Sequence, residues 1–545
     1  MSDRPTRRVG GAQVVDATNR SEHVEQWQRM GLVSCRIPRD MLARNALELP
    51  HHPAVIEGDV VVTWADLADA AAGVAAHLQL VGVGPGDVVC WQLPTWWESV
   101  VVAHAIWMAG AVSNPIVMMF REHELAQVLA ATQPACVVTT PHFRSGSHTE
   151  LFDDVCRDLT ITPARVSVRG ESPGWTPLST LLNSRRTPRP IVVDPDDPAL
   201  LLYTSGTESS PKAVVHTAST LVAAAERGAR TRALDWTDRA YAGGASMAHV
   251  GGLERVLLGT LAVGHAAVIR ERWDADQAYA DMVRHGVTFT SGSTVFIREL
   301  SDVVEAAAAE FSLRKGFMCG GSTMVESVID RAQMLGLHPV RGYGMTEYCG
   351  SFSTALLSSP DEIRLRSDGV VTAGGDLRID GSTDADGSTV GELAIRGPAL
   401  AIGYLDLGQT RNAYDDDGWF RTGDVGLLRS DGALVVTGRT KDIINRGGEK
   451  IAAQEIELLL MSHDDVTEVA VVAGPHARLG EQPAAFVCLR PGSSADEVEL
   501  SNFLRRRGLA LQKVPTIWRW CESDLPRSAG GKVRKDELRR SLWTA

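Results

Sequence analysis

Residues 203–217 read Tyr-Thr-Ser-Gly-Thr-Glu-Ser-Ser-Pro-Lys-Ala-Val-Val-His-Thr, and this stretch is the most informative part of the chain for its fold and chemistry. The apolar residues 198–202 before it predict a buried strand, and residues 220–225 after it predict the start of a helix. Small hydroxyl residues and Gly206 let backbone N–H groups close around an anion, while Lys212 adds a fixed positive charge. The stretch therefore predicts a loop that binds nucleotide phosphates, although it lacks the spacing of a Walker loop.

The loop resembles the Thr-Ser-Gly-Thr-(Thr)-Gly-x-Pro-Lys-Gly loop of the acyl-adenylate-forming superfamily, which includes acyl-CoA synthetases, luciferases and peptide-synthetase adenylation domains. The resemblance implies that the phosphates of ATP are bound by Thr204, Ser205, Gly206, Thr207 and Lys212. Two departures are Glu208-Ser209-Ser210 in place of the usual Thr-Gly-x, and Ala213 in place of the glycine after lysine. Losing a glycine restricts the dihedral angles of the loop, and Glu208 brings negative charge near a polyphosphate. We therefore expect a loop that closes differently, or a Glu208 that points to solvent.

Two segments farther along the chain resemble the adenine side of the same site. Gly320-Gly321-Ser322 resembles the turn where a missing side chain lets the backbone approach the base. Gly342-Tyr343-Gly344-Met345-Thr346-Glu347 resembles the Tyr-Gly-x-Thr-Glu signature. Carried over by position, Tyr343 packs on the adenine, Thr346 touches the phosphate and Glu347 helps to hold Mg²⁺, an ion that prefers oxygen ligands.

Residues 418–426, Gly-Trp-Phe-Arg-Thr-Gly-Asp-Val-Gly, resemble the ribose-binding segment of the superfamily. The resemblance implies that Asp424 accepts hydrogen bonds from both ribose hydroxyls, a role that suits a carboxylate with two oxygens. Residues 438–444 resemble the segment where the large domain meets the small one. By position, Arg439 makes a further nucleotide contact, and Lys441 is the hinge about which the small domain rotates.

The C-terminal residues 525–532, Leu-Pro-Arg-Ser-Ala-Gly-Gly-Lys, resemble the signature whose lysine neutralises charge as a carboxylate attacks the α-phosphate. That lysine is Lys532. Residues 447–451, Gly-Gly-Glu-Lys-Ile, resemble the stretch that lines the pantetheine tunnel in thioester-forming members, which assigns Gly447 and Gly448 to coenzyme A. The same two glycines also suit an ordinary hairpin turn.

The fold class implied by the resemblance is α/β. A large N-terminal domain, residues 1–440, contains two doubly wound sheets and a small β-rich subdomain; residues 441–545 form a mobile small α+β domain. The alternation of strands and helices agrees, as in the predicted strand 60–63, helix 64–80 and buried strand 88–93. The apolar residues 100–112 predict a buried helix, followed by a turn at Ser113-Asn114-Pro115. Residues 376–389, rich in Gly and Asp, predict a solvent-exposed loop.

Composition sets bounds on the class of protein. The chain has 545 residues, 44% of them hydrophobic and 22% charged, as in an ordinary globular protein with several subdomains. A net charge of −13 argues against nucleic acid or an anionic membrane as a partner. Eight cysteines without Cys-x-x-Cys spacing indicate neither zinc nor a disulfide framework. With no secretory signal or apolar stretch of spanning length, we expect a cytoplasmic enzyme acting on small molecules; its oligomeric state stays open.

The acid that is activated is less clear from the sequence. Amino-acid-activating members of the superfamily place an Asp near the start of the segment that here is 245–252, whereas this chain has no carboxylate there. His249 falls where acyl- and aryl-CoA synthetases carry His or an aromatic residue beside the carboxylate. We assign it a catalytic role with Lys532, Thr204, Lys212 and Glu347. The expected pocket lining lies at Ser246, His249, Gly252, Ser291 and Ser293.

Residues 92–98, 110–115 and 120–125 resemble cyclohexanecarboxylate-type and related acyl-CoA ligases. The predicted reaction is ATP- and Mg²⁺-dependent adenylation of a hydrophobic, aromatic or alicyclic carboxylic acid, followed by transfer to coenzyme A. The shared motifs serve ATP and leave alternatives open. The acceptor could instead be an amine or a carrier-protein thiol, or nitrite could be adenylated to diazotise an arylamine. Retained Lys532, Asp424 and Glu347 argue against a purely binding role.

Overall fold

The computed structural model describes residues 5–144, 146–204, 211–320, 326–447, 449–521, 524–527 and 533–543. The main architectural units are two large mixed sheets with helices on their faces, a smaller antiparallel sheet, and a C-terminal α+β unit, which confirms the predicted fold class. No helix among the described residues combines the length and apolar character needed to cross a membrane.

The first sheet holds the hairpin of the predicted phosphate loop. Its strands run parallel up to Pro198–Thr204, where the hairpin turns the direction and makes the last two pairings antiparallel. In order across the sheet, the strands are Thr176–Pro177, Ala164–Ser167, Cys136–Thr139, Val88–Gln92, Val112–Pro115, Pro198–Thr204, Lys212–Thr217 and Gly403–Tyr404.

The second sheet is parallel through its centre and has antiparallel strands at both edges. Its strands, in order, are Val370–Val371, Gly350–Thr354, Pro339–Met345, Gly316–Cys319, Phe289–Gly292, Arg239–Gly243, Ala266–Arg270, Pro53–Glu57 and Val60–Thr63. The predicted strand 60–63 and helix 64–80 are both confirmed, the helix beginning at a Thr63 cap that accepts from the Asp66 N–H. Such a cap satisfies a backbone donor that the first turn leaves unpaired.

One apolar core joins the two sheets. It takes side chains from Val89 and Leu202 in the first sheet, Val55 and Ala267 in the second, and the helices between them. A separate cluster covers the other face of the first sheet, and another packs helices against the second. Helices therefore lie on both faces, as expected for doubly wound sheets. The helices of this region are Arg20–Arg29, Pro38–Glu48, Trp64–Leu80, Trp97–Met108, Glu122–Thr132, His148–Asp158, Leu178–Leu182, Ala218–Arg232, Val250–Leu253, Glu254–Leu258 (a π-helix), Gly259–Val263, Ala275–His285, Thr294–Ala307, Glu326–Met334, Thr346–Tyr348 (3₁₀), Asp361–Arg364 and Leu407–Ala413.

The third sheet is antiparallel and follows the order Asp376–Thr383, Thr389–Arg396, Phe420–Leu428, Leu434–Arg439. Its first two strands pair in unbroken register from Asp376 with Arg396 to Thr383 with Thr389. The prediction of a solvent loop at 376–389 was therefore wrong. The segment reads as a loop because most of its side chains face solvent, so burial leaves no alternating apolar pattern, although the backbone ladder is complete.

The predicted turn at Ser113-Asn114-Pro115 was also wrong, because these residues end the strand Val112–Pro115. The strand is buried between Val88–Gln92 and Pro198–Thr204. Asn114, a typical turn residue, instead donates from its amide nitrogen Nδ2 in the core, to Cys90 Sγ at 3.0 Å and to the Tyr203 hydroxyl at 3.2 Å. Buried polar groups that find such partners do not break a strand.

The C-terminal unit has its own core. A fourth sheet runs in the order Glu449–Ala452, Ile443–Arg446, Gly480–Leu489, Val466–His476, and Ile517–Trp520 pairs in parallel with Gly480–Leu489. Both apolar clusters of this unit draw on residues after 443 alone, within the part of the chain that the structure describes. The boundary between residues 440 and 441 stays a prediction. The helices here are Thr440–Asp442 (3₁₀), Ala453–Met461, Glu497–Arg506, Leu511–Lys513 (3₁₀) and Lys535–Trp543. Two short hairpins complete the strands: Thr6–Val9 with Ala12–Val15, and His142–Phe143 with Gly146–Ser147.

Candidate active site

The predicted phosphate loop connects the antiparallel strands Pro198–Thr204 and Lys212–Thr217, with Thr204 directly opposite Lys212. The hairpin thus holds both residues at the mouth of the loop, where each borders the residues that would surround the phosphates. The predictions for Ser205, Gly206 and Thr207, and the expectation for Glu208, lie outside the described residues.

Glu347 lies beside this hairpin. It follows the strand Pro339–Met345 in a short 3₁₀ turn, and its Oε1 accepts a 2.7 Å hydrogen bond from the Tyr404 hydroxyl. Tyr404 in turn pairs with Val214 in the strand that begins at Lys212. The structure therefore brings Glu347, Lys212 and Thr204 to one region, although they are far apart in the sequence.

His216 fixes the backbone next to Glu347. Its Nε2 lies 2.8 Å from the Thr346 carbonyl oxygen and donates to it, because a carbonyl can only accept. Burial lowers the pKa of His216 to about 4, so the ring is neutral at pH 7. A neutral ring with its proton on Nε2 orients Thr346, the residue predicted to touch the phosphate.

Asp424 is the centre of the predicted ribose site. Its Oδ2 accepts a 2.6 Å hydrogen bond from the Tyr343 hydroxyl, and its Oδ1 accepts from Arg439 Nε at 2.8 Å. Asp424 and Arg439 face each other across adjacent strands of the third sheet. The Asp424 N–H donates to Thr422 Oγ1 at 3.0 Å, which holds the strand in place. Burial, followed by the Asp424 carboxylate, raises the pKa of Tyr343 well above its usual value. Three residues predicted from separate motifs are thus in direct contact.

Glycines shape the adenine side. A Cβ on Gly344 would lie 2.2 Å from the Gly350 carbonyl oxygen, so the close pairing of these strands requires glycine. Gly320 is exposed, immediately after the strand Gly316–Cys319, and a Cβ there would lie 3.4 Å from the Gly342 oxygen. Gly320 and Tyr343 are therefore at the carboxyl ends of neighbouring parallel strands, the usual place for ligands in such sheets. The predicted Gly321 and Ser322 lie outside the described residues.

The residues predicted to line the acyl pocket lie at the same edge of the second sheet. Ser246 and His249 follow the strand Arg239–Gly243, and Ser293 follows Phe289–Gly292, which contains Ser291. His249 is partly buried at the start of a short helix, and its N–H donates to the Ser246 carbonyl oxygen at 3.1 Å. A Cβ on Gly252 would lie 2.0 Å from that same oxygen, so the turn is tight and Gly252 packs on its backbone.

The predicted hinge Lys441 lies in the 3₁₀ turn Thr440–Asp442, directly after Arg439, and is exposed. Gly447 forms the turn between Ile443–Arg446 and Glu449–Ala452, with φ of 61° and its N–H bonded to the Leu479 carbonyl oxygen at 2.9 Å. A glycine is needed for that dihedral angle whether or not the turn borders coenzyme A. The predictions for Gly448 and Lys532 lie outside the described residues.

Sequence reasoning missed Tyr404, His216, Thr422 and Arg255. Tyr404 and His216 act on Glu347 and Thr346 through pairings between segments more than fifty residues apart, which no local spacing reveals. Thr422 was inside a recognised motif, and its place two residues before Asp424 is the typical spacing of such a side-chain-to-backbone bond. Arg255 lies just after residues 245–252, which contain the predicted acyl-binding His249, and it contacts Ser291 through Nη1.

The residues present fit a magnesium ion bound mainly by substrate phosphates. In the described ranges, no group of three or more His, Cys, Asp or Glu side chains could hold a metal ion. Mg²⁺ in nucleotide sites commonly takes one or two protein carboxylates and completes its shell with phosphate oxygens and waters. Glu347 beside the phosphate hairpin is a carboxylate of that kind.

Comparison with known proteins agrees with this geometry. The family model described as AMP-binding enzyme matches residues 42–405, and the model of the AMP-binding enzyme C-terminal domain matches residues 455–532. The medium-chain fatty-acid–CoA ligase of Escherichia coli is 29% identical over 524 residues, covering 95% of this chain and 92% of the relative. The sulfoacetate–CoA ligase of Cupriavidus necator is 30% identical over 508 residues, covering 91% and 96%.

Among solved structures, the o-succinylbenzoate CoA synthetase of Bacillus subtilis, in complex with an acyl-adenylate intermediate, superimposes with a TM-score of 0.79 at 24% identity. The similarity covers 92% of this chain and 97% of that one, and it supports the fold alone. The family models together span most of the chain, and the range matched by the first contains the hairpin, the Glu347 turn and residues 245–252. The chain therefore belongs to the AMP-binding enzyme family, within the acyl-adenylate-forming superfamily, and is an enzyme of the AMP-forming ligase class.

Proposed function

We propose that the protein activates a carboxylic acid with ATP, releases pyrophosphate, and transfers the acyl group from the adenylate to coenzyme A. The observation that carries the proposal is the convergence of Thr204, Lys212 and Glu347 on one region, next to the contact of Tyr343 with Asp424. These are a phosphate-binding hairpin, a metal-binding carboxylate and a ribose-binding carboxylate in the relative order that a nucleotide requires.

In the first step the chain binds and orients the nucleotide. Asp424 accepts from the ribose hydroxyls, Tyr343 packs on the adenine, and Thr204 and Lys212 bind phosphate. Glu347 would hold Mg²⁺, which supplies positive charge to the departing pyrophosphate when bound. Lys532 neutralises the negative charge that develops at the α-phosphate as the acid attacks. Positioned donors of this kind typically contribute about 10²–10³ in rate each.

In the second step the thiol of coenzyme A must reach the adenylate and react with it. We assign the small domain, residues 441–545, to both steps, because rotation about Lys441 would withdraw Lys532 and present the Gly447 turn. CoA ligases among the relatives support coenzyme A as the acceptor. Their named acids differ, so they leave the acid of this chain undetermined.

The proposal is tested by pyrophosphate release from ATP and Mg²⁺ across a panel of carboxylic acids, with nitrite as a parallel arm. The Lys532→Ala variant is expected to lose about 10²-fold or more of the rate with the best acid. Lys535→Ala is the matched control, because Lys535 is ion-paired with Glu457 at 2.7 Å and has no assigned role in the reaction.

Two results would contradict the proposal. If no acid elicits pyrophosphate release while nitrite does, the activated group is not a carboxylate. If Lys532→Ala and Lys535→Ala turn over the best acid equally fast in folded protein, the assignment of Lys532 is wrong.

A further inference from the structure

Arg255 contacts Ser291, one of the residues predicted to line the acyl pocket. Most of the N–H donors of its guanidinium have no partner among the described residues. It lies in the π-helix Glu254–Leu258, six residues after His249, and its Nη1 donates to the Ser291 carbonyl and hydroxyl oxygens. Its Nε is buried and has no hydrogen-bond partner among the residues that the structure describes. Nη2 makes no hydrogen bond within the described ranges. A guanidinium carries five donors, and a buried donor without a partner is costly, so Arg255 has free capacity for an acceptor that comes from outside the chain.

The charges around Arg255 do not balance. Glu254 pairs with Arg232 at 3.4 Å, and Arg227 is nearby, because a Cβ on Gly350 would lie 2.9 Å from Glu254 Oε2 and 3.0 Å from Arg227 Nη2. Arg227 donates to the backbone carbonyls of residues 348 and 349. Among the described residues, no carboxylate forms an ion pair with Arg255. Arg227, Arg232 and Arg255 thus lie in the neighbourhood of one carboxylate, Glu254, which pairs with Arg232.

The charge on Arg255 persists at neutral pH. Burial lowers the pKa of Arg255 to about 10, with Glu254 opposing and Arg232 adding to the shift, and the group is still protonated at pH 7. Arg255 is partly buried, and a cation with restricted access to water is stabilised when an anion pairs with it. The local chemistry therefore calls for an anionic partner at this place.

The position of Arg255 suits the far end of a bound acid. Ser291 is level with Met318 in the next strand and, through it, with Val340. Tyr343 is three residues farther along that third strand, so strand spacings place it roughly 14 Å from Ser291. An acid whose carboxylate reacts beside Tyr343 would extend its other end toward Arg255.

From this geometry we infer that Arg255 selects a carboxylic acid whose far end carries a second anionic group, such as a second carboxylate. The inference rests on the proposed adenylation of a carboxylic acid, and it replaces the purely hydrophobic acid expected from the sequence. A guanidinium binds a carboxylate through two parallel hydrogen bonds, which also fixes its orientation. Arg255 is thus a specificity-determining residue.

The experiment compares matched acids that differ in the distal group: hexanoate with adipate, and phenylacetate with 4-carboxyphenylacetate. Pyrophosphate release gives kcat/KM for each acid, and the ratio of diacid to monoacid is taken on one protein sample, so loss of active fraction cancels. The wild type is expected to favour at least one diacid by about 10- to 100-fold, as charged hydrogen bonds do. Arg255→Met should abolish that preference, and Arg255→Lys should retain part of it.

Arg284→Met is the matched control, since it removes the same charge from an exposed pair with Asp59 and should leave the ratio unchanged. If acids are turned over but the wild type shows no diacid preference, or Arg255→Met keeps that preference, the inference is wrong while the proposed function stands. If no acid of either kind releases pyrophosphate, the proposed function fails, and the inference fails with it.

Discussion

Asp424 accepts hydrogen bonds from Tyr343 on one oxygen and from Arg439 on the other. A carboxylate held on both sides keeps a single orientation, which lowers the entropic cost of binding a ribose. Its remaining lone pairs are available to the two hydroxyls, because each carboxylate oxygen can accept more than one hydrogen bond. Tyr343 and Arg439 therefore position the carboxylate that we propose as the ribose-binding group.

Asp424→Ala is expected to raise KM for ATP by about 10- to 100-fold, because two hydrogen bonds to a charged acceptor are lost. The value of kcat should change less, since the ribose is bound in both the ground state and the transition state. Steady-state kinetics with varied ATP measures both constants. Tyr343→Phe, which keeps the ring but loses the bond to Asp424, should raise KM only a fewfold. An unchanged KM in Asp424→Ala would exclude this carboxylate from the ribose site.

At the residue scale, the motifs assigned Tyr343, Asp424 and Arg439 to one nucleotide, and these residues lie together, but the motifs did not predict the side chains that support the site. Tyr404 reaches Glu347 only because a two-residue strand adds to the edge of the first sheet. Such a contact depends on the pairing of strands that are far apart in the sequence. The residues around Tyr404 therefore do not predict it. Arg255 was missed for a related reason, because its partner Ser291 lies 36 residues farther along the chain, in the strand Phe289–Gly292.

Elements are positioned by a few close backbone contacts, and one of them near the site is the approach of Gly344 to the Gly350 carbonyl on the neighbouring strand. Gly344→Ala is expected to destabilise the protein by about 1–3 kcal/mol, because the added methyl would overlap the Gly350 carbonyl oxygen. The shift of the strand should also weaken ATP binding. Thermal unfolding and ATP affinity measure the two effects.

Gly84→Ala is the control for this variant, because a Cβ there meets nothing within 4 Å. It should match the wild type in both measurements. A Gly344→Ala protein as stable as the Gly84→Ala protein would show that the two strands can separate without cost.

The 3₁₀ turn at Lys441 is the second element to test, because the proposed rotation of the small domain takes place there. Lys441→Pro is expected to slow thioester formation while sparing adenylation, because proline fixes φ near −65° and blocks rotation of the turn. Lys441→Ala keeps the rotation and removes the same amine, so it should support both steps. Pyrophosphate release without coenzyme A, and thioester formation with it, separate the half-reactions. Equal loss of both steps in folded Lys441→Pro protein would count against a hinge at this residue.

Helices and buried strands of the large sheets were predictable because burial imposes strong periodic patterns, as in Trp64–Leu80. The strand Asp376–Thr383 was not, because none of its side chains is fully buried and most of them are polar or glycine. The strand Val112–Pro115 was misread as a turn because Asn and Pro usually end strands. Here, Cys90 and Tyr203 in the core accept hydrogen bonds from the Asn114 amide nitrogen.

Several histidines are buried and uncharged at pH 7, because burial lowers their pKa values. The stability of the whole molecule therefore depends on pH. His265 is fully buried, with neither ring nitrogen hydrogen-bonded, and packs edge-on against Phe289. Burial lowers its pKa to about 3, with Arg232 and His52 adding to the shift and Asp235 opposing it. Because the folded-state pKa lies below the unfolded value near 6.5, the neutral ring contributes stability above pH 6.5 and loses it as pH falls toward 3.

Between pH 7 and pH 5 the wild type is therefore expected to lose about 2 kcal/mol more stability than His265→Leu. Other histidines titrate alike in both proteins, so the difference isolates this group. Urea unfolding at the two pH values measures it. The same loss in both proteins would mean that His265 is protonated in the folded state or accessible to water.

At the scale of the molecule, we propose that one active site makes the acyl-adenylate and then transfers its acyl group to coenzyme A. The most direct measurement is mass spectrometry of the products formed from ATP, Mg²⁺ and the best acid, with and without coenzyme A. We expect an acyl-adenylate and pyrophosphate without coenzyme A, and an acyl-CoA thioester with AMP when coenzyme A is present. An adenylate that forms but gives no thioester with coenzyme A, or a diazo product from nitrite and an arylamine with no adenylate from any acid, would contradict the proposal.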